Sequence, residues 1–130
     1  MASELRVNTL KDASGNNSVG LSYVANGSAK AWINFNGTGT IATRDTFNTT
    51  SLTDAGTGKY SFDFVNDMNN NDYAISGGAR SPGVASGALN APSDADTDAG
   101  TGSLEFYAVN FSGNLTDLNH IYVLVHGDLA

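Results

Sequence analysis

The stretch DADTDAGTGSLE places Asp94, Asp96 and Asp98 at positions 1, 3 and 5 of a calcium loop, with Glu105 at position 12. Carboxylates at that spacing can converge on one hard cation, as they do in an EF-hand. Two features oppose the assignment. Ala99 stands where the sharp-turn glycine belongs, and the flanking sequence has no helical periodicity. An internal control agrees with them. TDAGTG occurs twice, at Thr53–Gly58 and Thr97–Gly102, and the first copy has Thr50, Leu52 and Ser61 where the second has Asp94, Asp96 and Glu105. The hexapeptide thus makes its turn without a ligand set, and Asp98 is explained as a turn residue. We read the second copy as a solvated acidic loop and expect no metal and no cofactor.

Other chemistry-bearing residues fare less well. GTGK (Gly56–Lys59) lacks the earlier glycine and the following Ser or Thr of a phosphate loop: those places hold Thr53 and Tyr60. His120 and His126 fall on one face of an expected strand. At roughly 3.3 Å per residue they stand about 20 Å apart, too far to share a metal. No pattern places a nucleophile, a base or paired carboxylates, so no catalytic residue is assigned and the chain is not read as an enzyme. Trp32 is different. It alternates with Ile33 and Phe35 and therefore faces away from them, where an indole can stack on a sugar, fill a partner's pocket or pack between subunits.

Composition indicates the elements that carry these residues. Asn, Gly, Ser and Thr supply 55 of 130 residues, which favours short strands joined by tight turns. The net charge of −7, with six scattered Lys and Arg, argues against nucleic acid or an anionic membrane as partner. There is no Cys, hence neither disulfide nor thiolate–metal chemistry. MASELRVNTLKD lacks the apolar run of a signal peptide, and no stretch is apolar enough to insert in a membrane. The N-x-S/T sequons, Asn26, Asn36, Asn48 and Asn110 among them, follow from the composition and are not read as glycosylation sites.

Period-two alternation marks the strands. Tyr60, Phe62 and Phe64 share one face, as do Ala31, Ile33 and Phe35; Tyr73 and Ile75 make a shorter example. The repeat extends past TDAGTG, with KYSFDFVN at Lys59–Asn66 answered by SLEFYAVN at Ser103–Asn110, so it is expected to start the same kind of strand twice. Asn26-Gly27 reads as a hairpin turn between SYVA and SAKAWINF, and Asn36-Gly37 ends the next strand. HIYVLVH (His120–His126) is apolar on both faces, which suits a strand buried on both sides or one at a subunit contact. Residues 79–102 read as a long polar connection and residues 1–18 as an extended arm too polar to bury itself.

Gly27–Arg80 carries a resemblance. AKAWINFNGTGT, the RDTFN step, SLTDAGTGKYSFDF and NDYAISG resemble a segment of tail-fibre and other virion structural proteins of tailed phages, especially those of marine bacteria and cyanobacteria. SELRVNTLKDASGN is similar to the start of such fibres, and the likeness covers residues 3–80. It implies a homotrimeric β-rich virion component that contacts other tail or capsid proteins and, at the distal end of a fibre, host-surface glycan. It implies no catalytic residue. With some 18 residues before the first expected hairpin, a fibre tip, a separate adhesin and a decoration protein of the head all fit.

The expectation is therefore an all-β antiparallel sandwich, jelly-roll-like, over residues 19–130, with an N-terminal arm over 1–18 for attachment and trimerisation. Made in the host cytoplasm, it would reside in the virion. It would act as a host-recognising adhesin or, alternatively, as a capsid decoration or head-fibre protein. The surface-recognition residues are not assigned.

Overall fold

Apolar residues two apart need a sheet with one covered face, and this chain covers it by wrapping the sheet on itself. A computed structural model describes residues 3–90 and 99–130, with only the backbone for 84–86. Among them, β1 (Thr9–Lys11) and β2 (Ser18–Gly20) precede a short helix, α1 (Leu21–Gly27). Then come β3 (Ala31–Asn36), β4 (Ala42–Phe47), β5 (Thr49–Gly56) and β6 (Lys59–Phe64). They are followed by β7 (Ala74–Ser81), β8 (Val84–Asn90), β9 (Ser103–Val109) and β10 (His120–His126). Strands β3 to β10 form one sheet in the order β4-β3-β10-β7-β8-β9-β6-β5, and every named pair is antiparallel. The all-β antiparallel expectation holds.

The halves β4-β3-β10-β7 and β8-β9-β6-β5 meet face to face, giving a sandwich- or barrel-like body. Phe35 of β3 lies edge-on to Tyr60 of β6 at 5.1 Å and to Phe106 of β9 at 6.0 Å between ring centroids. These strands are not neighbours in the sheet, so the contacts cross the core. Ile121, Val123 and Val125 of β10, with Leu104 and Phe62, complete it, each 2% exposed or less. Burial at about 25 cal/mol per Å² of apolar area drives the closure. Tyr60 puts its hydroxyl into this core and donates to Gly37 O (2.8 Å) and Asp117 Oδ1 (3.0 Å). Burial is the main reason its phenol is held far above its ordinary pKa, the hydrogen-bonded Asp117 carboxylate the next.

The chain passes from edge strand β4 to edge strand β5 through one residue, Asn48, at φ 54°. Asn tolerates this left-handed conformation better than most side chains. Its carboxamide spans the corner: Nδ2 donates to Lys30 O (3.0 Å) and Asn66 O (3.1 Å), and Oδ1 accepts from Asn66 N (2.7 Å). The bent β4–β5 segment thus joins the two edges of the wrapped sheet.

Both copies of TDAGTG lead into a strand, and those strands pair: Tyr60 opposes Phe106 and Phe62 opposes Leu104. The turns themselves differ. The first copy ends β5 and makes the hairpin to β6, with Gly56 at φ 126° and Gly58 at φ 67°. The described end of the second closes locally, with Ala99 bridged to Leu104 and Gly100 N donating to Ser103 O (2.9 Å).

Three expectations need correction. Asn26-Gly27 is no hairpin turn but the end of α1, because β3 already has both edges taken by β4 and β10 and leaves SYVA no strand to join. Leu21, Val24 and Ala25 have helical spacing, although no residue of α1 is buried. Residues 79–90 are not a structureless connection. They end β7 and form β8, joined by a tight turn at Pro82-Gly83 with Gly83 at φ 75°. The glycines that suggested a loop permit close packing instead. A Cβ at Gly87 would collide with Val109 O and with Leu118 Cδ1 at 2.5 Å. Finally, the N-terminal segment is not extended throughout: β1 and β2 pair around a turn in which Asp12 Oδ1 accepts from Asn16 N (3.0 Å). Neither strand buries a residue.

Candidate functional site

The outer face of β4-β3-β10-β7 carries three rows of side chains, set by strand register. The first is Phe47, Trp32, Leu124 and Ser76; the second is Asp45, Asn34, Tyr122 and Gly78. In the third, Ala42 stands opposite Asn36 and His120 opposite Arg80. Successive rows are two residues apart, roughly 7 Å. The face therefore runs from apolar through polar to cationic over a short distance.

Between the first two rows lies an open groove of about 360 Å³, lined by Trp32, Asn34, Asp45, Tyr122 and Leu124. Trp32 is half-buried, Tyr122 is 40% exposed and Phe47 is 54% exposed. Tyr122 leans over β7, where a Cβ on Gly78 would meet its Oη at 2.7 Å and its ring at 3.0 Å. Glycine there lets the phenol ring lie close to the sheet as a platform. Asn34 lines the groove, and its Oδ1 is buried without a hydrogen-bond partner. An unpaired buried acceptor costs about 1–3 kcal/mol, a strain held beneath the groove rather than a contact open to it. Asp45 Oδ1 accepts from Thr46 N (2.9 Å), which fixes the carboxylate on the groove's rim.

At the third row a guanidinium and an imidazole come together. Arg44 sits at the bulge of β4, where the register with β3 shifts. It donates through Nη1 to Phe35 O (2.8 Å) and through Nη2 to Asn119 Oδ1 (3.3 Å). His120 follows Asn119 directly and has a buried Nδ1 without a hydrogen-bond partner. Desolvation first, then the Arg44 and Arg80 charges, hold the imidazole below its ordinary pKa.

The opposite outer face is different. Lys59 opposes Tyr107 with Nζ 5.2 Å from the ring centre, Ser61 opposes Glu105 and Asp63 opposes Ser103. That is a mixed polar surface of the ordinary kind.

Asp94, Asp96 and Asp98 lie outside the described residues; Glu105 is on β9, paired with Ser61. Among the described residues no three of His, Asp and Glu are grouped to hold a metal. His120 and His126 stand at opposite ends of β10. In the GTGK stretch Gly58 N donates to Asp117 Oδ1 (2.7 Å), a turn closed on a carboxylate. HIYVLVH seals the core with one face, while Tyr122 and Leu124 on the other stay open to solvent in the single chain. Of the groove, sequence reasoning singled out Trp32. Asn34, Asp45 and Tyr122 were missed because only cross-strand register brings them together. No helix among the described residues is long and apolar enough to cross a membrane. Comparison with protein-family models, curated proteins and solved structures gives no match.

Proposed function

We propose that this chain is a virion structural protein of a tailed phage, a tail-fibre-like adhesin that binds host-surface glycan through the groove between Trp32 and Tyr122. One observation carries the reading: two aromatic side chains flank the exposed Asp45 carboxylate in one open groove on a sheet face. Sugars offer an apolar C–H face for stacking and hydroxyls that donate to such a carboxylate. The phage setting rests on the resemblance of Gly27–Arg80.

The working form is a homotrimer with a jelly-roll-like body. Adjacency of β3 and β10, the first and last strands of the wrapped sheet, supports that description. The unburied N-terminal segment, which exposes Leu10, Val19, Leu21 and Tyr23, supplies apolar surface for contact between copies. That same segment favours a second reading, in which the protein decorates the capsid or forms a head fibre and attaches through its N-terminal arm.

A glycan array probed with the native protein and with Trp32→Ala tests the first reading. The native protein is expected to bind a defined set of saccharides and Trp32→Ala to lose them by about tenfold or more. An array without hits, or hits indifferent to Trp32→Ala, would reject the groove as the binding site. Immunogold labelling of virions separates the readings, with label at the tail tip for an adhesin and over the head for a decoration protein.

A further inference from the structure

We propose that the saccharide bound on this face is acidic, its carboxylate or sulfate held by Arg44, Arg80 and His120 while a ring lies on Tyr122. The inference rests on the glycan reading above and specifies its ligand. The acidic protein has three arginines and two histidines, and this corner gathers two of the former and one of the latter. Among the described residues the ion pair within 4 Å is Arg6–Glu4, far along the chain, so no described carboxylate pairs with Arg44 or Arg80. Two guanidinium groups with no described carboxylate partner, in a protein of net charge −7, form a local positive field that draws in an anion.

Geometry supports the same conclusion. His120 and Arg80 are direct cross-strand partners and share the outer face with Tyr122, two residues further along β10. Arg44 is braced from behind by Phe35 O and Asn119 Oδ1, which uses two of its five donors and leaves the rest for a ligand. His120, whose pKa is held down, stands beside the two arginines as an uncharged imidazole that can donate a ring N–H. Asp45 gives the face a polarity. It stands in the second row on the β4 side, accepts hydroxyl donors and repels an acid group. The negative end of the ligand is thereby directed to the third row. Planar guanidinium groups suit carboxylate and sulfate oxygens, and such charge-assisted bonds are about twice as strong as neutral ones.

The test uses an array carrying uronate-, sialate- and sulfate-bearing saccharides beside neutral ones, probed with the native protein, Arg80→Gln and His120→Gln. Both substituted residues lie on the surface side of the sheet, and melting curves check that the variants fold. We expect hits confined to acidic saccharides, a fall of about tenfold in Arg80→Gln, and weakening as salt is raised. Neutral hits unaffected by salt and by Arg80→Gln would overturn the acidic assignment and leave the glycan reading standing. Binding of inorganic sulfate with no saccharide bound would overturn both.

Discussion

The groove depends on a residue with no side chain. Gly78 gives Tyr122 the room to lie close to β7, and the atoms a new Cβ would meet belong to that exposed ring. Gly78→Ala is therefore expected to tilt the phenol, weakening saccharide binding about tenfold while changing the melting temperature little, as titration and thermal melts would show. Tyr73 gives a second prediction. Its hydroxyl donates to Gly100 O (3.1 Å) and Ser103 O (3.3 Å), and burial pushes its pKa up to about 12 from 10.0. Folding thus favours the protonated phenol. The contribution is complete below pH 10 and is lost as pH rises from 10 to about 12, where the unfolded chain ionises first. Alkaline unfolding in that window should be shallower in Tyr73→Phe. An identical limb in both proteins would place its origin elsewhere.

At the scale of elements, the two copies of TDAGTG share a sequence and separate in mechanics. A Cβ on Gly58 would meet Ala108 O at 2.5 Å and Thr116 N at 2.6 Å, and the residue holds φ 67°. Its counterpart Gly102 has no such angle and open surroundings, with Asp67 Oδ1 at 3.6 Å. Gly58→Ala should cost about 3 kcal/mol or more, Gly102→Ala about 1 or less, in denaturant unfolding. The contrast shows what a linear reading can reach. Alternation at Tyr60–Phe64 and Ala31–Phe35 identified strands and their inner faces, because the period of two is a local property, whereas HIYVLVH, apolar on both faces, was legible as a strand without showing which face turns inward. The glycine-rich stretch from residue 79 hid the end of β7 and all of β8, because Gly87 faces close neighbours that only tertiary packing supplies. Asn26-Gly27 promised a hairpin whose partner edge had been taken by β10, nearly a hundred residues later. The groove was legible only at Trp32 for the same reason: Asn34, Asp45 and Tyr122 meet across three strands.

On the scale of the whole molecule, the two outer faces differ in character. One is a mixed polar surface, and the other grades from Phe47 and Trp32 to Arg80 and His120. The N-terminal ribbon and helix bury no side chain and expose Leu10, Val19, Leu21 and Tyr23, surface that a second copy would cover. Sedimentation equilibrium is expected to give three times the mass of the chain, and removal of residues 1–27 to give a smaller species. A monomer in both cases would reject the trimer. The proposed binding face offers a more direct measurement. The chain has one tryptophan, and it stands in the groove. Its fluorescence and indole N–H resonance therefore report on that site alone during titration with bacterial surface polysaccharide fragments. A saturable change in both signals, absent in a protein carrying Gly78→Ala and Arg80→Gln together, is the predicted result. Polysaccharide binding that leaves Trp32 unperturbed, or no binding at all, would contradict it.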